Sequence, residues 1–220
     1  AKVTAHVHQG AIDVLGPVTG DHWYVYVADH SKLCPAPLPP LHAASALKQE
    51  RTVNIMMFDM HPEVAPIFFL HNTPVAKEMT RKAGIDALCE DAVIDETAFT
   101  PCGYSMNSIC EASYSTIHVT PEESCSYASF ETNRPLQDYL PLLRAVLAVF
   151  RPARFVLTLM GDEGALDSLS RLPPQEKTVR VQKGEVGSGG FVSSYVRTAG
   201  CSASVDADLG CAMACYSLAE

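Results

Sequence analysis

Val93-Ile-Asp-Glu-Thr-Ala-Phe99, Tyr104-Ser-Met-Asn-Ser-Ile109, Tyr114-Ser-Thr-Ile-His-Val-Thr120 and Cys125-Ser-Tyr-Ala-Ser-Phe-Glu131 follow one another with only short breaks. The breaks hold Pro101, Gly103 and Pro121, residues that interrupt a strand or turn a chain. Short β-branched and aromatic runs separated this way predict an antiparallel meander. Upstream, His22-Trp-Tyr-Val-Tyr-Val27 alternates and Arg51 to Phe58 reads as a further strand, with a proline-rich loop, Cys34 to Pro40, between them. Thr73-Pro74 has the form of an N-cap followed by an N1 proline, and Gly84 supplies a stop, which predicts a helix over 74–83.

Downstream, Leu136 to Phe150 has helical periodicity with Pro141 in its first turns, and Arg151-Pro152 ends it. Phe155 to Met160 is another strand. Beyond Gly161 the signal fades: Gly184–Gly190 reads as a flexible loop, Phe191–Arg197 as a strand, and 198–220 is rich in small residues. The fold class expected is α+β, an antiparallel sheet with helices on one face.

Composition narrows the function classes. Across 220 residues, 47% hydrophobic content supplies a core and excludes a wholly disordered chain. The longest apolar stretch, Tyr139 to Phe150, is interrupted by Arg144, so no membrane span is expected. A net charge of −9 repels phosphate backbones, which argues against general nucleic-acid binding and suits cationic small molecules. The chain starts at Ala1 without Met or a secretory signal, as at a processing site or in a fragment. Eight scattered cysteines point to a reduced, cytoplasmic setting.

Reactive residue types concentrate between 99 and 133. On the strand Tyr114–Thr120 the period of two puts His118, Thr116 and Tyr114 on one face, and an antiparallel hairpin brings Ser105 within reach of His118. A hydroxyl beside an imidazole is competent for proton transfer, but from the pattern alone a satisfied polar pair inside a sheet is the preferred reading. Cys102 with His118 is the pattern of a cysteine hydrolase, against Cys102 as a small hydrophobe. Cys201, Cys211 and Cys215 lack the paired spacing of a metal knuckle, and the glycines at 184–190 lack the order of a dinucleotide fingerprint.

The runs Phe99-Thr-Pro-Cys-Gly-Tyr-Ser-Met-Asn107, Thr116-Ile-His-Val-Thr-Pro-Glu122 and Ser126-Tyr-Ala-Ser-Phe-Glu-Thr-Asn133 resemble eukaryotic S-adenosylmethionine decarboxylase. Weaker resemblance, including Trp23-Tyr-Val-Tyr26 and Thr80-Arg-Lys-Ala-Gly-Ile85, extends over residues 9–160. The family folds as an α/β/β/α sandwich of two related halves. The resemblance makes 1–160 part of the carboxy-terminal half, with 161–220 as divergent strands and a tail of the same domain.

Family members are pyruvoyl enzymes of spermidine and spermine biosynthesis. A precursor cuts itself at a Glu-Ser bond, the serine becomes the pyruvoyl cofactor, and the ketone takes the substrate amine as a Schiff base for loss of CO₂. The cleavage segment and the proton-donor cysteine segment belong to the amino-terminal half and are absent from these 220 residues, so a carboxy-terminal fragment, inactive alone, is expected. By resemblance Ser105 and His118 serve proton transfer in self-processing, Phe99 stacks on adenine and Glu122 binds the ribose hydroxyls. Glu50, Thr52 and Glu131 align with a putrescine site in which Asn54 replaces an acid, which weakens attraction for a dication. The partners implied are S-adenosylmethionine, putrescine, the amino-terminal half of the precursor and a second copy in a homodimer. The rival is a catalytically dead homologue acting as the regulatory subunit of an active decarboxylase.

Overall fold

The computed structural model describes residues 11–15, 19, 22–27, 51–161, 178–182, 192–206 and 209–219. Its strands are β1 (Ala11–Leu15), β2 (Trp23–Val27), β3 (Arg51–Met60), β4 (Val93–Ala98), β5 (Tyr104–Cys110), β6 (Ser113–Thr120), β7 (Tyr127–Thr132), β8 (Pro152–Gly161), β9 (Thr178–Gln182), β10 (Val192–Asp206) and β11 (Leu209–Leu218). The helices are α1 (Ala76–Ala83) and α2 (Leu140–Phe150). β1 and β2 pair with each other, and the other nine strands form one sheet in the order β4-β5-β6-β7-β3-β8-β11-β10-β9. Every neighbouring pair in it is antiparallel. The expected α+β class holds, and the meander from β4 to β7 runs as its turn residues dictate.

Alternation along the strands sorts the two faces. Val53, Ile55 and Met57 of β3 are buried together with Tyr104, Met106, Ile117, Phe130, Leu157 and Leu159 of its neighbours. Met79 and Ala83 of α1 and Leu143, Val146, Leu147 and Phe150 of α2 join the same core, so both helices cover one face. Each fully buried Leu, Ile or Phe contributes about 1.5–3 kcal/mol. The opposite face presents Thr52, Asn54, Met56 and Phe58 of β3, all half-buried. Among the described residues no helix is long and apolar enough to cross a membrane.

Three local expectations need correction. α1 begins at Ala76 with Val75 as its cap residue and no side-chain cap. Thr73 is not the N-cap because its N–H closes a turn on the Phe69 carbonyl at 2.9 Å while its buried hydroxyl accepts from Lys82 Nζ at 3.3 Å. Gly84 does end the helix, in the left-handed region at φ 81, where a side chain is unfavourable. α2 begins at Leu140 rather than 136, because the Tyr139 hydroxyl donates to the Arg134 carbonyl at 2.8 Å and accepts the Leu136 N–H at 3.3 Å, fixing those residues as a turn. Pro141 sits in the first turn, and Pro152 opens β8, a position that needs no inward N–H.

The third correction is the tail. Residues 198–220 carry no strand signal, yet β10 runs on to Asp206 and β11 pairs along β8 from Gly210↔Gly161 to Ser217↔Arg154. Their alanines, serines and glycines have weak strand preference, and a long partner on each side of β11 supplies what they lack. Phe155 stacks on Tyr216 with centroids 4.7 Å apart and meets Tyr195 edge-on at 5.2 Å, fastening these strands to the core. The loops at Cys34–Pro40 and Gly184–Gly190, and Glu50, lie outside the described residues.

Candidate active site

Register places Ser105 of β5 directly opposite His118 of β6, and His118 opposite Ser129 of β7. Ser105 Oγ lies 3.0 Å from His118 Nδ1, a hydrogen bond open to solvent. The pair projects from the face opposite α1 and α2, because the neighbouring positions Tyr104, Met106, Ile117 and Val119 are buried on the side of those helices. If Nδ1 carries the proton, Ser105 Oγ accepts it and Nε2 is left with a lone pair. In the other tautomer the serine hydroxyl donates to Nδ1.

Phe99 and Glu122 occupy the two connections at this end of the sheet. The Phe99 N–H donates to the Gly103 carbonyl at 3.0 Å, and the Gly103 N–H to the Phe68 carbonyl at 2.9 Å, closing the turn between β4 and β5. A Cβ on Gly103 would stand 3.5 Å from both Phe99 Cβ and the Val119 carbonyl oxygen, and its φ of 118 belongs to glycine. Phe99 remains 49% exposed, with its ring available for stacking. Glu122 lies in the turn between β6 and β7, exposed, and close enough to Cys102 for its charge to act on that thiol.

Cys102 pairs by a backbone bridge with Phe69. Burial first and the Glu122 carboxylate second push its thiol up, the opposite of what a nucleophilic cysteine requires. Burial likewise raises Cys211, to about 11, and Cys201. These two pack with Cys215, Met213, Val156 and Met160 in an apolar cluster, where a metal-binding thiolate is disfavoured.

A second polar group sits on the same face. Asn54 of β3 stands opposite Glu131 of β7 and donates from Nδ2 to Oε2 at 3.1 Å. The Tyr114 hydroxyl donates to Oε1 at 2.9 Å, so both carboxylate oxygens are engaged by neutral donors. The phenol of Tyr114 is raised by burial, then by its bond to Glu131, while Thr52 pulls the other way. Thr52, Asn54, Tyr114 and Glu131 therefore gather in one place. Asn54 Oδ1 is buried without a hydrogen-bond partner among the described residues. Sequence reasoning placed Tyr114 on the His118 face but gave it no part here. The signal was the diagonal across two registered strands, since Thr116, two residues on, faces Glu131.

Residues 2–198 match the family model for adenosylmethionine decarboxylase. The chain belongs to the adenosylmethionine decarboxylase family. The S-adenosylmethionine decarboxylase proenzyme of Dictyostelium discoideum is 41% identical over 159 residues, covering 72% of this chain and 39% of that protein. The Xenopus laevis proenzyme is 38% identical over 157 residues, covering 71% of this chain and 44% of the relative. The chain thus spans about two-fifths of these decarboxylase relatives, within their carboxy-terminal part. A solved Trypanosoma brucei AdoMetDC-delta26 monomer shares the fold, with a TM-score of 0.64 at 20% identity, over 94% of this chain and 72% of that one.

Proposed function

We propose that this chain supplies the carboxy-terminal half of an S-adenosylmethionine decarboxylase, a carboxy-lyase serving spermidine and spermine synthesis. Its partner is the amino-terminal half of the same kind of precursor, the source of the serine that becomes the pyruvoyl group. The observation that carries this is the registered Ser105–His118 bond on the face opposite α1 and α2, with Phe99 and Glu122 at the same end of the sheet. These groups suit the cofactor: a proton-transfer pair, an aromatic surface and a carboxylate, all at least partly exposed at one end of the sheet.

The pyruvoyl group supplies an electron sink for loss of CO₂. The residues here bind and move protons. His118, with Nδ1–H held by Ser105 Oγ, presents Nε2 as the base that removes the α-proton of the cleavage-site serine after that serine has exchanged its amide for an ester. Ser105 acts earlier, bonding to the cyclic intermediate of that exchange. The Phe99 face stacks on adenine and attracts the sulfonium cation. Glu122 accepts hydrogen bonds from the ribose hydroxyls.

The Glu131 group fits a diamine poorly. Asn54 stands where an acid would add charge, and neutral Asn54 and Tyr114 each already donate to one carboxylate oxygen, so attraction for putrescine is weakened and little activation by it is expected. The test of the main proposal is incubation of the chain alone with S-adenosylmethionine labelled at its carboxylate, which releases no CO₂ above background. Release accompanied by a carbonyl that a hydrazine traps refutes the half-enzyme assignment.

A further inference from the structure

Strand β4 ends the sheet, and among the described residues no strand pairs with its outer edge. The Phe99 N–H points inward to the Gly103 carbonyl, and β4 runs in register with β5 from Val93↔Ile109 to Ala98↔Tyr104. Antiparallel ladders alternate, so Val93, Asp95 and Thr97 turn their N–H and C=O groups to β5. Those of Ile94, Glu96 and Ala98 point outward, where another strand would bind.

The same edge borders a groove of about 570 Å³ lined by Val75, Lys77, Glu78, Arg81 and Asp86 and by Ile94 and Glu96 of β4, so that its carboxylates outnumber its cations. Val75 is 51% exposed in it. Glu96 is half-buried in the groove wall and makes no hydrogen bond or ion pair among the described residues, while Asp95 is exposed on the opposite face. A second copy of β4 is a poor occupant. The two centred antiparallel registers that match outward groups with outward groups oppose Glu96 to Glu96 or Asp95 to Asp95, and like charges directly across a ladder are destabilising. A strand carrying adjacent basic residues reverses the sign: neighbours in a strand point to opposite faces, so one cation meets Glu96 and the next meets Asp95.

We propose that the β4 edge and the groove beside α1 form a docking site for an extended basic segment of a partner protein, which adds to the sheet as an outer strand. Main-chain hydrogen bonds to Ile94, Glu96 and Ala98 hold it, and the two carboxylates select its charge.

The probe is the peptide acetyl-Thr-Val-Thr-Lys-Arg-Val-Thr-amide, with a Glu-Glu version as the control. Amide hydrogen exchange of the whole chain is expected to slow at least tenfold at Ile94, Glu96 and Ala98 with saturating basic peptide, and to be unchanged by the acidic one. Glu96→Pro removes an outward N–H while sparing the bonds to β5, and should weaken binding at least tenfold. Glu96→Gln with Asp95→Asn keeps the backbone and should remove the preference between the two peptides. Equal binding of both peptides to the unaltered chain, or no protection of those three amides, overturns the proposal. So does protection that grows with protein concentration when no peptide is present, which would make a second copy the occupant.

Discussion

Asn54→Asp tests the polar group around Glu131 most directly. The Asn54 amide donates to Glu131 Oε2 at 3.1 Å. The substitution removes that donor and sets two carboxylates at the same separation. Two like charges there repel by about 5 kcal/mol at an effective dielectric near 20. The pair has a cheaper escape, which is to bind one proton. Holding a proton on an ordinary carboxyl costs about 1.4 kcal/mol per pH unit above about 4.3, so the penalty is near 4 kcal/mol at pH 7 and near 1 at pH 5. Both side chains are only half-buried, and screening lowers the value at pH 7 to about 2–4 kcal/mol. The folded variant binds a proton that the unfolded chain releases, so the sign is a stability loss that grows as pH rises. Urea unfolding at pH 5 and pH 7.5 measures it. Putrescine, a dication, should recover part of the loss in the variant and leave the unaltered protein unmoved. A deficit independent of pH, or equal stabilisation of both proteins by putrescine, refutes the reasoning.

In a complete precursor carrying these residues, His118→Ala should stall at an ester that hydroxylamine cleaves, and Ser105→Ala should stall earlier and resist it. Processing of both at the unaltered rate removes them from that role. Phe99→Ala should weaken nucleoside affinity by roughly 1–3 kcal/mol, the scale of one stacked contact, and Glu122→Gln should weaken it through the ribose; inhibitor titration of the assembled enzyme measures both. Leu159, fully buried in β8, should cost about 2–5 kcal/mol when replaced by Ala, read as a shift in the urea midpoint. Tyr104 is fully buried with its hydroxyl 2.8 Å from Thr80 Oγ1, and burial raises its phenol to about 12. The unfolded phenol ionises near 10 and the folded one does not, so stability should fall by about 1.4 kcal/mol per pH unit between 10 and 12. Tyr104→Phe should remove that part of the alkaline slope.

Where one face of a strand is buried, alternation carries its placement into the sequence. That is why the meander, the inward residues of β3 and the Ser105–His118 pairing were legible before any coordinates: a one-residue slip would bury His118 and expose Ile117. The motifs around Phe99, His118 and Glu122 likewise carried the family in the sequence, and the match over residues 2–198 agrees. Helix starts were less legible, because Thr73 and Tyr139 spend their side chains on tertiary partners rather than on the local roles their types suggest. The tail was illegible for a different reason. Stretches of Ala, Gly, Ser and Cys have almost no preference of their own, and β11 and the second half of β10 exist because β8 offers β11 a ladder, β11 offers one to β10, and Phe155 offers Tyr195 and Tyr216 a place to pack. The sequence by itself determined which residues face the core and which chemistry they bear. Only the tertiary structure decided that Tyr114 and Asn54 close on Glu131 and that β4 is an edge strand among the described residues, because both depend on which strands lie side by side, and pairing between segments distant in the chain leaves no local mark.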